Sequence, residues 1–365
     1  MKHFGLVGLP NAGKSTLFNA LSGGEAHTAP YAFSTTDSNV GVAKVPDHRL
    51  ERLANMSQSR RCVQASVNFT DIGGLVEGAS HGDGLGNAFL GHIRNTDAIV
   101  FVLRSFDDEA AEATSGGAAD FAPIDQLQLL EIELALADLE SAKRQLEKHQ
   151  RMAKGDSTKL DTVARLHRAV EVLEEGTPLY RSNMGSSEEA ALQEFFFLTS
   201  KPVLVVLNVA EDDIDTSDIE NLRSELSDYL ENAEVIPLCA QLEAEAAQLD
   251  ECERVEILAA MELGDGALSR FLASAYRLLG LRTFLTTGEK ESRAWTFQAG
   301  ATAAECAGVI HSDFQRGFIK ADTIRWDKLV QAGSWLMARE MGSVRAEGKT
   351  YLVADGDVME FKFNV

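Results

Sequence analysis

Gly8-Leu9-Pro10-Asn11-Ala12-Gly13-Lys14-Ser15 follows the short apolar run Phe4-Gly-Leu-Val7 and leads into a helix-forming stretch over residues 15–21. The octet fits G-x-x-x-x-G-K-[ST], and its place between a strand and a helix is the one that this pattern needs. Its glycines let backbone N–H groups turn inward around a polyphosphate, and the start of the helix adds partial positive charge. On this reading Asn11, Ala12, Gly13, Lys14, Ser15 and Thr16 hold phosphates, with Lys14 reaching the outer two and Ser15 offering its hydroxyl to magnesium. A nucleotide-binding α/β domain is expected.

Further buried-strand candidates lie at 67–69, 98–103, 203–207 and 235–238, separated by helical stretches. Alternation of this kind favours a doubly wound, largely parallel sheet whose ligand sits beyond the carboxyl ends of the strands. Polar tails occur there: Asp71-Ile-Gly-Gly74, Arg104-Ser-Phe106, Asn208-Val-Ala-Glu211 and Cys239-Ala240. Asp71 and Gly74 form D-x-x-G, in which the carboxylate holds magnesium through water and the glycine N–H senses the terminal phosphate. The glycines at 73, 74, 78, 82, 84 and 86 crowd a segment suited to reordering with nucleotide state. Thr35, in Phe33-Ser-Thr-Thr-Asp37, falls in the loop after the first helix. Its hydroxyl could join the magnesium once a third phosphate is present, and an ordinary loop threonine is the other reading.

The base is read at the fourth tail. Guanine-specific switches use N-K-x-D there, the aspartate accepting from guanine N1–H and the exocyclic amine. This chain has Asn208-Val209-Ala210-Glu211. Adenine has an acceptor at N1 and no 2-amino group, so a carboxylate loses its usual donors. Guanine preference is expected to be weak or absent.

The 365 residues suggest two or three domains. Hydrophobic residues at 45% and charged residues at 25% describe a soluble globular chain. Cys62, Cys239, Cys252 and Cys306 lack C-x-x-C spacing, which argues against a zinc knuckle or a disulfide framework and fits a reducing cytosol. With no leader and no run of about 18 apolar residues, a cytoplasmic location without membrane contact is expected. Residues 1–123 and 199–281 are assigned to the nucleotide domain, 124–198 to a helical insertion and 282–365 to a β-rich module. In the insertion, Leu127, Leu130, Leu134 and Ala137, then Leu160, Val163, Leu166, Val170 and Leu173, mark two helices of roughly 20 to 25 residues around Gly155-Asp-Ser. They stand out as a coiled-coil arm or pack flat on the sheet. In the last module, strands are expected at 294–297, 318–320, 350–353 and 358–363, with a helix over 303–310.

Together these residues resemble the Obg-like ATPase family, also called the YchF type, over essentially the whole chain. The most specific pieces are residues 8–16, Asp71-Ile-Gly-Gly-Leu-Val, Gly82-Asp-Gly-Leu-Gly-Asn-Ala-Phe-Leu, Asn208-x-x-Glu211, Arg293-Ala-Trp-Thr, His311-Ser-Asp-Phe and Asp355-Gly-Asp-Val. The resemblance implies a C-terminal module like the TGS domain, a β-grasp. It also implies slow ATP hydrolysis, ribosome association, and a role in translation or stress responses. It implies that Asn208, Val209, Glu211, Cys239 and the backbone near Phe106 line the adenine site. Asn11 falls where related cation-activated switches bind potassium beside the β and γ phosphates.

One departure concerns catalysis. Leu75 stands where many GTPases carry the glutamine that orients the attacking water, and leucine cannot hydrogen-bond it. Family members often have a histidine shortly after Arg-x-Phe, and residues 106–113 contain none. His81 is the nearest candidate in sequence, an idle loop histidine being the alternative. Lys14, Gly74 and magnesium would then stabilise the phosphoryl charge, with water positioned poorly or by a partner. An Obg-type GTPase and a binding module with negligible turnover remain as alternatives.

The formal charge of -22 weighs against nucleic acid over the whole surface, but it is unevenly spread. Residues 209–265 hold 2 basic and 18 acidic side chains, and residues 282–365 hold 11 of each. Around the arm's turn, residues 143–168 hold eight basic side chains against three acidic ones. This tip, from Lys143 to Arg168, and the C-terminal module are the expected ribosome-facing surfaces; a solvated helix face is the alternative.

Overall fold

The computed structural model describes residues 2–23, 39–72, 85–106, 121–214, 216–231, 233–249 and 266–364. In chain order its strands are β1 His3–Val7, β2 Asn39–Val45, β3 Cys62–Val63, β4 Ala65–Asp71, β5 Ala98–Ser105 and β6 Val203–Val209. There follow β7 Val235–Leu238, β8 Leu281–Thr286, β9 Ser292–Gln298, β10 Phe318–Arg325, β11 Arg345–Glu347 and β12 Asp357–Phe363. Two compact units are present, one of Met1–Ala43 with Asn68–Phe271 and one of Lys44–Val67 with Leu272–Val365. Residues 44–67, which the sequence places with the nucleotide domain, thus cluster with the C-terminal unit, because the helix His48–Ser57 finds its partners there. Asp47 caps that helix, and Arg49 joins Asp47 at 2.8 Å and Asp355 at 2.5 Å.

The first unit is built on a six-stranded sheet in the order β2-β4-β1-β5-β6-β7. β1 pairs in parallel with β4 and β5, β5 with β6, and β6 with β7. Strands buried on both faces read as continuous apolar runs, and every residue of β6 is buried. All five apolar runs expected to form strands do so. β2 was not expected, because its Asn-Val-Gly-Val-Ala-Lys-Val lacks the continuous apolar run that marks the strands buried on both faces.

The insertion combines the two expected arrangements. Its first helix, Pro123–Ala153, has 31 residues and the second, Leu160–Glu174, has 15, a less even pair than expected. Leu127, Leu130, Leu134 and Ala137 share one core with Ile99, Phe101 and Val205, so the proximal part lies against the sheet. Leu166, Val170 and Leu173 pack instead with Ala135, Ala142 and Phe197. No residue from 143 to 165 is buried, and Leu160 is 56% exposed, so the stripe runs out toward the tip and the distal part projects.

The second unit carries a mixed sheet in the order β11-β10-β12-β8-β9-β3. β12 and β8 pair in parallel, flanked by the antiparallel pairs β10–β12 and β8–β9. The helix Ala303–Ile310 starts in a Thr302/Glu305 capping box and buries Ala303, Cys306 and Ala307 against Phe284, Phe297 and Phe318. This is a β-grasp arrangement. The strand expected at 350–353 does not form: Leu352 makes one isolated bridge to Thr302 and its side chain is 62% exposed. Among the described residues no helix is long and apolar enough to cross a membrane.

Candidate functional site

The loop after β1 is held in a form that few sequences allow. Asn11 has φ 61° and Gly13 φ 90°, both left-handed. A Cβ on Gly13 would lie 2.2 Å from Asn208 Nδ2, and one on Gly8 would lie 2.4 Å from the Val102 carbonyl oxygen. Glycine is required at both positions by space, and at Gly13 by backbone conformation as well. The helix Lys14–Leu21 then begins with no side-chain cap and no acidic residue in its first turn. Its leading N–H groups therefore face the loop, the arrangement that receives an anion.

Lys14 is buried, and its ammonium donates to the Leu9 carbonyl oxygen at 2.8 Å. Burial lowers its pKa to about 8, partly countered by the charge of Asp71. Such a cation lacks solvation that phosphate oxygens would supply. Ser15 Oγ donates to Asp71 Oδ2 at 2.8 Å, bringing together the end of β4 and the helix start. Asp71 Oδ1 is buried with no hydrogen-bond partner among the described residues. A desolvated carboxylate oxygen without a donor is costly, and a divalent cation or its water would relieve it. The donor set of one carboxylate and one hydroxyl suits magnesium, which keeps several waters and takes phosphate oxygens.

On the other side of β1 lie the tails of β5, β6 and β7, level with one another through the register pairs Arg104 with Asn208 and Asn208 with Leu238. Asn208 is 4% exposed. Its Nδ2 donates to the Ala12 carbonyl oxygen at 3.1 Å, and its Oδ1 accepts from the Ala240 N–H at 2.9 Å. One residue thereby ties the phosphate loop to the β7 tail and keeps one amide hydrogen in reserve. Val209 points into the core at 1% exposure, so only its backbone remains at the strand end. Glu211 is exposed in the turn Glu211–Asp213, and Cys239 is buried where the helix Ala240–Ala246 begins. Arg104 donates Nε to the Phe106 carbonyl oxygen at 3.0 Å and lies over the Phe106 ring at 4.7 Å.

Asn11, Ala12, Gly13, Lys14, Ser15, Thr16, Asp71, Asn208 and Cys239 are thus gathered at the carboxyl ends of the sheet, with Phe106, Val209 and Glu211 at neighbouring tails. Thr35, Gly74, Leu75 and His81 lie outside the described residues. Sequence reading missed Gln126. Gln126, on the arm helix, bonds the backbone of Arg104, and no local pattern marks it because its partner is 22 residues away. Phosphates received by the β1 loop, with the Ser15–Asp71 pair on the β4 side, would leave the tails of β5, β6 and β7 for a nucleotide base.

Comparison with known proteins gives a consistent result. A family model described as 50S ribosome-binding GTPase matches residues 3–154, and the YchF-GTPase C-terminal model, described as a protein of unknown function, matches residues 281–364. The chain is 43% identical to the ribosome-binding ATPase YchF of Bacillus subtilis and 41% identical to that of Haemophilus influenzae, covering 99% of both chains in each case. The solved structure of the Schizosaccharomyces pombe YchF GTPase is 29% identical with a TM-score of 0.85, over 99% of this chain and 97% of that one.

Proposed function

The chain belongs to the YchF family, a P-loop nucleoside triphosphatase family, and from that premise we propose that it binds ATP with magnesium in preference to GTP. It hydrolyses ATP slowly to ADP and phosphate and acts in the cytoplasm as a nucleotide-dependent switch on the ribosome. Two relatives bear the name ribosome-binding ATPase. The word GTPase also stands in the names of both family models and of the Schizosaccharomyces pombe structure, so the names divide between the two bases and the residues at 208–211 carry the choice.

The observation that carries the base preference is the β6 tail. Asn208 retains one N–H for N7, an acceptor that adenine and guanine share. The lysine of the guanine motif is Val209, turned into the core, and the aspartate is Glu211, whose carboxylate finds no donor at N1 or C2 of adenine.

In turnover, the N–H groups of 11–16 and the Lys14 ammonium hold the β and γ phosphates and take up charge that develops on the transferring group. Ser15 and Asp71 would hold magnesium, with Thr35 joining them and Asn11 beside a potassium ion. Magnesium, when bound, neutralises the phosphate oxygens. By the D-x-x-G pattern Gly74 N–H would meet the γ phosphate, and His81 is the chain's own candidate for orienting water. With leucine at 75, turnover is slow until a partner orders the attacking water. The basic arm tip from Lys143 to Arg168 and the C-terminal unit are the surfaces offered to ribosomal RNA.

Specific activity toward ATP and GTP, with and without ribosomes, tests base choice and partner activation together. ATP turnover that exceeds GTP turnover and rises at least about tenfold with ribosomes is expected. GTP turnover exceeding that of ATP under both conditions would overturn the proposal.

A further inference from the structure

We propose that Gln126, in the first turn of the arm helix, is a positioning residue for adenine recognition: it fixes the strand-end backbone at 104–106 against which the 6-amino edge of the base is read. This rests on the ATP reading above and deepens it at one edge of the same site.

Gln126 is 3% exposed, and its whole amide is used on backbone at this strand end. Its Oε1 accepts from the Arg104 N–H at 2.9 Å, while Nε2 donates to the Arg104 carbonyl oxygen at 2.8 Å and to the Phe121 carbonyl oxygen at 2.9 Å. That exhausts both amide hydrogens. Arg104, itself 7% exposed, passes the constraint on through its Nε bond to the Phe106 carbonyl oxygen. The next arm residues, Leu127 and Leu130, are fully buried in the core with Phe101 and Leu103, so the clamp stands on a rigid base.

Asn208 cannot separate the purines, because N7 accepts in both. They differ at position 6, where adenine carries a donor and guanine an acceptor. A carbonyl oxygen there accepts from adenine and repels guanine. The Phe106 carbonyl gives one lone pair to Arg104 and keeps the other. Discrimination then depends on how firmly that oxygen is placed, and Gln126 places it.

The test uses the full chain with two substitutions. Gln126→Met keeps length and volume without hydrogen bonds, and Gln126→Glu keeps the acceptor for Arg104 N–H but loses both donors. Dissociation constants are measured with magnesium for ATP, GTP, purine riboside triphosphate, which lacks the 6-amino group, and inorganic triphosphate. In the unmodified protein, removing the 6-amino group weakens binding about tenfold; in both variants this penalty falls below about threefold and the ATP-to-GTP ratio drops about tenfold. Inorganic triphosphate binds all three proteins alike. A purely structural Gln126 would weaken all four ligands together or shift only the unfolding midpoint, and either result overturns the proposal. Should the Met variant fail to fold, the Glu variant carries the same comparison. Equal affinity for ATP and GTP in the unmodified protein would instead sink the ATP reading itself. An ATP preference that survives in both variants would sink the role of Gln126 alone.

Discussion

Asn208 bonds protein on both sides of its amide, to Ala12 and from Ala240, in a place that water does not reach. Asn208→Ala would strand a carbonyl and an N–H, costing about 2 kcal/mol or more. A lower unfolding midpoint in urea checks this, and ATP and GTP affinity should fall together because N7 is common to both. Lys14 yields a pH prediction. Burial lowers its pKa to about 8, and bound phosphate favours the charged form, so binding above pH 8 must take up a proton. Affinity for ATP, whose phosphates are fully ionised above pH 8, should fall about fivefold between pH 8 and pH 9. A profile level to pH 9.5 would contradict it. At this scale the sequence was informative where one short pattern holds the whole requirement, as at Gly8 to Ser15 or at Asp71. It was silent on Gln126, whose role exists only after the strand ends are brought level.

The arm helix Pro123–Ala153 serves the core with one end and solvent with the other, and Glu131 lies in the buried end. This carboxylate, 3% exposed, accepts from Tyr180 Oη at 2.6 Å, Tyr229 Oη at 2.8 Å and Arg181 Nη1 at 3.0 Å. Glu131→Ala would leave the Arg181 charge and both hydroxyls without their acceptor, at a cost of about 3 kcal/mol or more, while Tyr229→Phe costs about 1 kcal/mol. Chemical unfolding of the two variants tests the order; equal losses would contradict it. The helical period made the pair of helices legible, but not that 127–137 packs on the sheet, since an apolar stripe fits a coiled-coil seam as well as a sheet face. Likewise Tyr351-Leu352-Val353 looks like a strand, yet only one bridge forms there. Apolar composition alone does not supply a pairing partner.

Across the molecule, the charge of -22 conceals an arm tip of opposite sign. Lys143, Arg144, Arg151 and Arg168 pair with carboxylates on the arm itself. Lys148, Lys154, Lys159 and Arg165 have no ion pair among the described residues, which leaves them for phosphate. Changing these four to glutamate should weaken ribosome binding at least about tenfold at low salt and flatten its salt dependence, leaving ATP affinity unchanged. Ribosome binding that survives intact would move the contact elsewhere. The boundary between the two units was not legible, because residues 44–67 lie in sequence between two strands of the nucleotide sheet and only the completed fold shows their partners. Everything in the account meets in the choice of base, made by a strand tail that keeps the shared asparagine and lacks the guanine-reading lysine and aspartate. Equilibrium binding of nonhydrolysable ATP and GTP analogues, side by side with magnesium and potassium, tests that choice directly. The account predicts ATP analogue affinity at least about tenfold the tighter. GTP analogue affinity equal to or above it would contradict the account.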